Sequence, residues 1–350
     1  MVENLSLRRR AAGLLKSAPA ISRQPDRAGG ASVADGAPEP RLPAGLLEPF
    51  TDALLREGRF QRWMALVTGF SSVISGMQVG YEHYRGSYSR RVMYTPPISS
   101  LLLAGAGVAG FRSPRIARTA LPAVSVVTLV NCVAGFYFHM RGIQRKPGGW
   151  RLPVSNIIMG PPLFAPLLFG VSGYLGLVAG FLRSGEQPAR GLPQPAHAGH
   201  LIRRLARNHE LISWEQDLRE ARFQKHMAAA AALSAFFSGF EALYSHYKGN
   251  FRYKAQWTPI VVSPMLIAAG IGAVRQRSIA HTWLPAISGI AMASGGVGFF
   301  YHVRGVLRRP TADTRLYNII WGPPVFAPLL FAASGFLGVL ASLFRRERRS

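Results

Sequence analysis

Four apolar stretches, each long enough to cross a bilayer, end in one recurring pattern, His-x-Arg/Lys-Gly. The copies are His83-Tyr84-Arg85-Gly86, His139-Met140-Arg141-Gly142, His246-Tyr247-Lys248-Gly249 and His302-Val303-Arg304-Gly305. Each run also starts behind a basic residue or histidine, for Arg62, Arg118, Lys225 and His281 stand at one common separation from Arg85, Arg141, Lys248 and Arg304. At 1.5 Å per residue the segments 63–84, 119–140, 226–247 and 282–303 each extend about 33 Å, against a hydrocarbon core about 30 Å thick. Long basic side chains reach the interface from both ends of such helices. The spacing predicts four membrane-crossing helices in one register, with their histidine-bearing ends on one face.

Between them lie four more apolar segments, at 94–111, 156–182, 257–274 and 318–344. Prolines open them, in Thr95-Pro96-Pro97, Gly160-Pro161-Pro162, Thr258-Pro259 and Gly322-Pro323-Pro324, where a missing N–H costs little in a first helical turn. A second proline follows at Pro166, Pro264 and Pro328, with Leu101 in that place in the first copy, and predicts kinks whose freed carbonyls need donors from neighbouring helices. Residues 50–183 match 213–345, as in Arg59-Phe60-Gln61 with Arg222-Phe223-Gln224 and Leu121-Pro122 with Leu284-Pro285. The fold expected is an all-α integral membrane protein whose eight transmembrane helices form two parallel-repeat four-helix halves. An even number of crossings per half sets the pseudo-twofold along the membrane normal. The expected organisation is a disordered basic tail at 1–45, a first membrane repeat with an amphipathic lead-in helix at 46–183, a linker with the start of an interfacial helix at 184–212, and a second repeat at 213–350.

A net charge of +25 in a soluble chain would suggest nucleic acid, but here the cations cluster between apolar runs, as membrane flanks do, and no nucleic-acid partner is expected. Roughly two thirds of the 41 Lys and Arg fall on the face bearing both termini and the linker, so the positive-inside rule puts both termini in the cytoplasm, in a bacterial inner membrane. No apolar segment follows Arg8-Arg9-Arg10, so no secretory signal is read there. The histidine-bearing face holds its cations in short loops with little acid beyond Glu82 and Asp313. Such a face suits an acidic protein partner or anionic lipid, in addition to the bilayer itself.

Phosphate loops, GxGxxG, HExxH, CxxC and GxSxG elements are all absent, and Cys132 stands alone in an apolar run as a packing residue. The chain is therefore not expected to be an enzyme on its own. Two readings compete for the histidines. In the structural reading, glycine ends each helix, a cation complements the helix dipole, and small residues beneath each histidine, such as Gly76, Cys132, Gly239 and Gly295, permit close helix contact. In the sharper reading that cleared face admits a macrocycle. Paired His83, His139, His246 and His302 would then ligate the iron of haem b, while Arg85, Arg141, Lys248 and Arg304 meet the propionates. The layout is similar in kind to b-type membrane cytochromes, in architecture only. Glu241, within an apolar run, is a candidate for proton transfer or quinone binding, against a structural bond to His246 or Ser238.

The leading expectation is a membrane-embedded haem-binding electron-transfer subunit. The alternative is a non-catalytic scaffold or assembly subunit of a larger membrane complex, and a small-anion or lipid transporter stands third.

Overall fold

The computed structural model describes residues 59–184, 222–310 and 315–343. The basic tail, the lead-in helix before residue 59 and the interfacial helix of the linker lie outside the described residues. Those described contain no strand, and six of their helices are long and apolar enough to cross a membrane, which makes this an all-α integral membrane protein.

The helices are α1 (Arg59–Arg85), α2 (Thr95–Arg112), α3 (Pro114–Arg118), α4 (Ala120–Gln144), α5 (Pro153–Ile158) and α6 (Ala165–Ser184), then α7 (Arg222–Lys248), α8 (Thr258–Arg275), α9 (Arg277–His281), α10 (Trp283–Arg308), α11 (Arg315–Trp321) and α12 (Ala327–Leu343). Helix α1 packs on α2 and α6, and α4 closes that ring against the same two. In the same way α7 packs on α8 and α12, with α10 closing the second ring. The rings meet where α6 lies against α7, and where the short α5 and α11 reach α7 and α1. Leu103, Leu121, Leu175, Leu266, Leu284 and Leu337 fill one continuous core, while Phe70, Leu101 and Val130 point outward, as large apolar side chains can where the solvent is lipid.

Helix α1 is the polar member of its ring. Its Gln61, Thr68, Ser72, Ser75 and Gln78 are all buried, so hydropathy undervalues a helix of 27 residues that turns its polar groups inward. Helix α12 is apolar apart from Ser334 and Ser342 but has only 17 residues. Hydroxyls tie these two to their partners. Ser72 Oγ donates to the Ser100 carbonyl at 2.9 Å, Ser71 and Ser75 meet Ser172 at 2.9 and 3.2 Å, and Ser234 meets Ser334 at 2.7 Å. Such bonds draw backbones together only where the facing residues are small. Any side chain added at Gly76 or Gly239 would collide with Ser100 or Ser263.

Two expected segments turn out to be broken. Residues 156–182 and 318–344 each split into a short helix and a long one at Gly160-Pro161-Pro162 and Gly322-Pro323-Pro324. Consecutive prolines fix φ and push the preceding residue out of the helical region, so the tripeptide interrupts the helix instead of opening it. Pro166 and Pro328 consequently stand second in α6 and α12, where they kink nothing, and of these three prolines only Pro264 lies in a helix interior. Buried asparagines anchor the short helices. Asn156 Nδ2 donates to the carbonyls of Pro147 and Gly149 at 3.0 and 2.7 Å, and Asn318 Nδ2 to those of Val306 and Arg309 at 3.1 and 2.8 Å.

Candidate functional site

All four histidines sit toward the C-terminal ends of α1, α4, α7 and α10. His83 and His139 lie close enough to interact electrostatically within one ring. His246 and His302 pair in the other, with ring centroids 6.5 Å apart and planes at 89°. The glycines of the four motifs part company. Gly86 and Gly249 follow their helices, and left-handed residues come directly after, Ser87 with Tyr88 and Asn250 with Phe251. Gly142 and Gly305 lie inside α4 and α10, where absence of a side chain lets Pro161 and Pro323 approach, each with a ring carbon 3.1 Å from where a Cβ would stand. Helix termination therefore accounts for two of the four copies.

Three imidazoles share one role. The Nδ1 of His83 bonds to the Met93 carbonyl at 2.7 Å, that of His139 to the Pro162 carbonyl at 2.5 Å, and that of His302 to the Pro324 carbonyl at 2.6 Å. A carbonyl only accepts, so Nδ1 carries a proton, and in the neutral ring Nε2 keeps its lone pair. Four residues after each of these carbonyls stands a proline: Pro97, Pro166 and Pro328. The chain cannot supply the N–H that would close a helical turn on them, and the histidine supplies the donor instead. Pro324 receives in addition only a long 3.4 Å contact from the Ala327 N–H.

His246 departs from this rule for a legible reason. The residue matching Met93 in α7–α8 is Gln256, and four residues later comes Ile260, whose N–H is intact. His246 has only ring neighbours among the described residues, His302 and Phe251 at 6.5 and 6.4 Å.

The cations of the motifs separate likewise. Arg85 pairs with Glu82 at 3.6 Å and lies 5.6 Å over the Trp321 ring of the other ring of helices, while Lys248 lies 5.2 Å over Tyr244. Arg141 and Arg304 are exposed and make no ion pair with a described residue. The small residues beneath the histidines are covered: Gly135 and Gly298 face Pro166 and Pro328, Gly295 faces Ala332, and Cys132 packs on Gly170. A macrocycle at these positions would have to displace those contacts. Among the described residues no three His, Cys, Asp or Glu side chains converge on a metal position, so two imidazoles per ring are the most the site offers.

Glu241 is placed by neither bond expected for it. One carboxylate oxygen accepts from the Phe164 N–H at 2.5 Å, with the Ala165 N–H as a further donor, and the other accepts from the Tyr244 hydroxyl. Phe164 precedes the first residue of α6, so a side chain of the second ring caps a helix of the first. This helix N-terminus is where a carboxylate completes both the free N–H groups and the dipole.

Reading residue types missed the carbonyl partners, because any residue has a carbonyl. The signal available was the proline four positions on. The paired asparagines ahead of Gly-Pro-Pro carried a second signal, since each fills the same place before the break. The chain matches no known family, no curated protein and no solved structure.

Proposed function

We propose that this chain is a non-catalytic scaffold or assembly subunit of a larger membrane complex. In this reading all eight long helices cross a bacterial inner membrane as two parallel four-helix repeats with cytoplasmic termini. The matched bounds of α1 with α7 at 27 residues and of α2 with α8 at 18, together with the matched packing of the two rings, support the repeat. The observation that carries the scaffold reading is a division of labour within one motif. Three of its histidines, Ser72, Ser172, Ser234 and Glu241 are consumed by bonds inside the bundle, whereas Arg141 and Arg304 remain exposed without an acid among the described residues. Beside them the short helices α5 and α11 expose Val154 at 69% and Leu316 at 62%. Exposed apolar side chains together with exposed cations suit an acidic partner that supplies both contact area and counter-charge.

Native electrophoresis of the protein extracted from its own membrane in mild detergent tests this. The wild type is expected in a discrete assembly above the monomer, and the double change Arg141→Glu with Arg304→Glu is expected to release it as a lone chain of unchanged melting temperature. A wild-type protein that runs alone, or a charge-reversed one that stays assembled, defeats the proposal.

A second reading rests on the His246–His302 pair. Perpendicular imidazoles at 6.5 Å, one of them holding its Nδ1 proton on a carbonyl, resemble the arrangement in which a histidine presents Nε2 to iron. Haem b held there would make the chain an electron-transfer subunit, with Lys248 and Arg304 near the propionates, and His83, His139, Arg85 and Arg141 form the corresponding set in the other ring. Protein expressed with haem supplied would then show a reduced-minus-oxidised band of the b type that His302→Gln abolishes. Colourless protein, or a band untouched by that change, dismisses this reading.

A further inference from the structure

The two rings carry different residues on their outer surfaces. Between α7 and α8 a groove of about 370 Å³ is lined by Ala229, Ala232, Leu233, Phe236, Ile271 and Arg275, among others. It begins at the C-terminal end of α8 and runs inward. From residue 267 to 275 is about 12 Å of helix, which keeps it within one leaflet, about 15 Å deep. In α1 and α2 some matching positions are bulkier, while Gly69, Val73, Ala104 and Val108 are smaller than the Ala232, Phe236, Ile267 and Ile271 they match. Leu66 stands where α7 has Ala229, and Trp63 packs edge-on against Phe111 at 5.6 Å where α7 and α8 have His226 and Val274.

We infer that this groove holds one acyl chain of an anionic glycerophospholipid whose phosphate is bound by Arg275. Three observations select that occupant. The walls are apolar and face lipid, so an alkyl chain fills them without desolvating a polar group. The groove is open along its length and confined to one leaflet, which suits a chain entering from the bilayer. Its interfacial end is an exposed Arg275 followed by Arg277, a planar donor set suited to phosphate next to a second cation. That end lies on the face to which the scaffold reading assigns the cytoplasm, the leaflet where anionic lipid attracts basic clusters. The groove and its occupant do not depend on that assignment.

Native mass spectrometry of the delipidated full-length protein, given dioleoyl phosphatidylglycerol or dioleoyl phosphatidylcholine, reads the site directly. The wild type is expected to retain one phosphatidylglycerol per chain under activation that strips phosphatidylcholine, a preference of roughly tenfold for one charge-assisted contact. Ala229→Trp, at an exposed position, fills the groove and should remove the retained lipid, whereas Leu66→Trp on the opposite ring should leave it. Arg275→Gln should equalise the two lipids while a chain still binds. Glycerol phosphate, which has the headgroup chemistry without the chain, should not displace the lipid. Equal retention of both lipids by the wild type, or undiminished retention by Ala229→Trp, overturns the inference. Displacement by glycerol phosphate alone also overturns it, in favour of a free-anion site.

Discussion

His83→Leu is expected to lower the unfolding free energy by about 1–3 kcal/mol, the cost of leaving the Met93 carbonyl without its donor in a poorly hydrated setting. His139→Leu and His302→Leu should cost about as much, because Pro162 and Pro324 lose the same kind of bond. His246→Leu should cost less than about 1 kcal/mol, the scale of a cation-free change at an interface. The contrast separates stapling from general packing, since all four rings are of one size. The decisive measurement is a double-mutant cycle with Pro97. Met93 lies in the helical turn Arg91–Tyr94 that runs straight into α2, so Pro97→Ala restores an N–H positioned to reach its carbonyl. In that background His83→Leu should lose roughly 0.5–1.5 kcal/mol of its effect. SDS titration in mixed micelles reads each corner of the cycle. Additive losses, or a His246 effect as large as the other three, would show that the carbonyl is not what these histidines serve.

That expectation marks where the sequence was legible and where it was not. Equal spacing of the flanking cations located α1 and α7 within about four residues, because membrane thickness and snorkelling set both ends by simple physics. The same spacing ended α4 and α10 too early. Gly142 and Gly305 look like helix stops, yet they accept prolines from a neighbouring chain segment, and a contact of that kind has no local signature. The breaks at Gly160-Pro161-Pro162 and Gly322-Pro323-Pro324 were mistaken for helix starts for a related reason: proline is tolerated in a first turn, and only the asparagine four residues ahead of each glycine reveals a helix already under way. Small residues beneath the histidines were legible as a clearing. What fills it was not, because a helix neighbour and a cofactor ask for the same absence of side chain. Glu241 was legible as costly, while its partner lay 77 positions away on a backbone.

Glu241→Ala is expected to be the most damaging single change in the described bundle outside the large apolar core. It removes the acceptor of the Phe164 and Ala165 N–H groups and of the Tyr244 hydroxyl at once. A bond to a charged group is worth about 1.5–3 kcal/mol, and loss of a helix cap about 0.5–2, so a loss of about 3 kcal/mol follows. Glu241→Gln retains one accepting oxygen and should lose about 1 kcal/mol. The site of the damage is as informative as its size. Amide exchange at Phe164 and Ala165 should accelerate in Glu241→Gln before the rest of α6 loses protection, since a fraying N-terminus opens locally. The other ring explains why this acid occurs once. The position matching Glu241 is Gln78, and one turn later α1 carries Glu82 where α7 carries Ser245, so each helix keeps a single carboxylate in that stretch. Gln78 Nε2 donates to Glu82 at 3.4 Å, a contact that a second carboxylate would turn into repulsion. Gln78→Glu alone should therefore destabilise, and Gln78→Glu with Glu82→Ser, which copies the pattern of α7, should recover the loss. An unfolding free energy for Glu241→Ala within about 0.5 kcal/mol of wild type, the spread of ordinary surface changes, would mean that the link between the rings is made elsewhere.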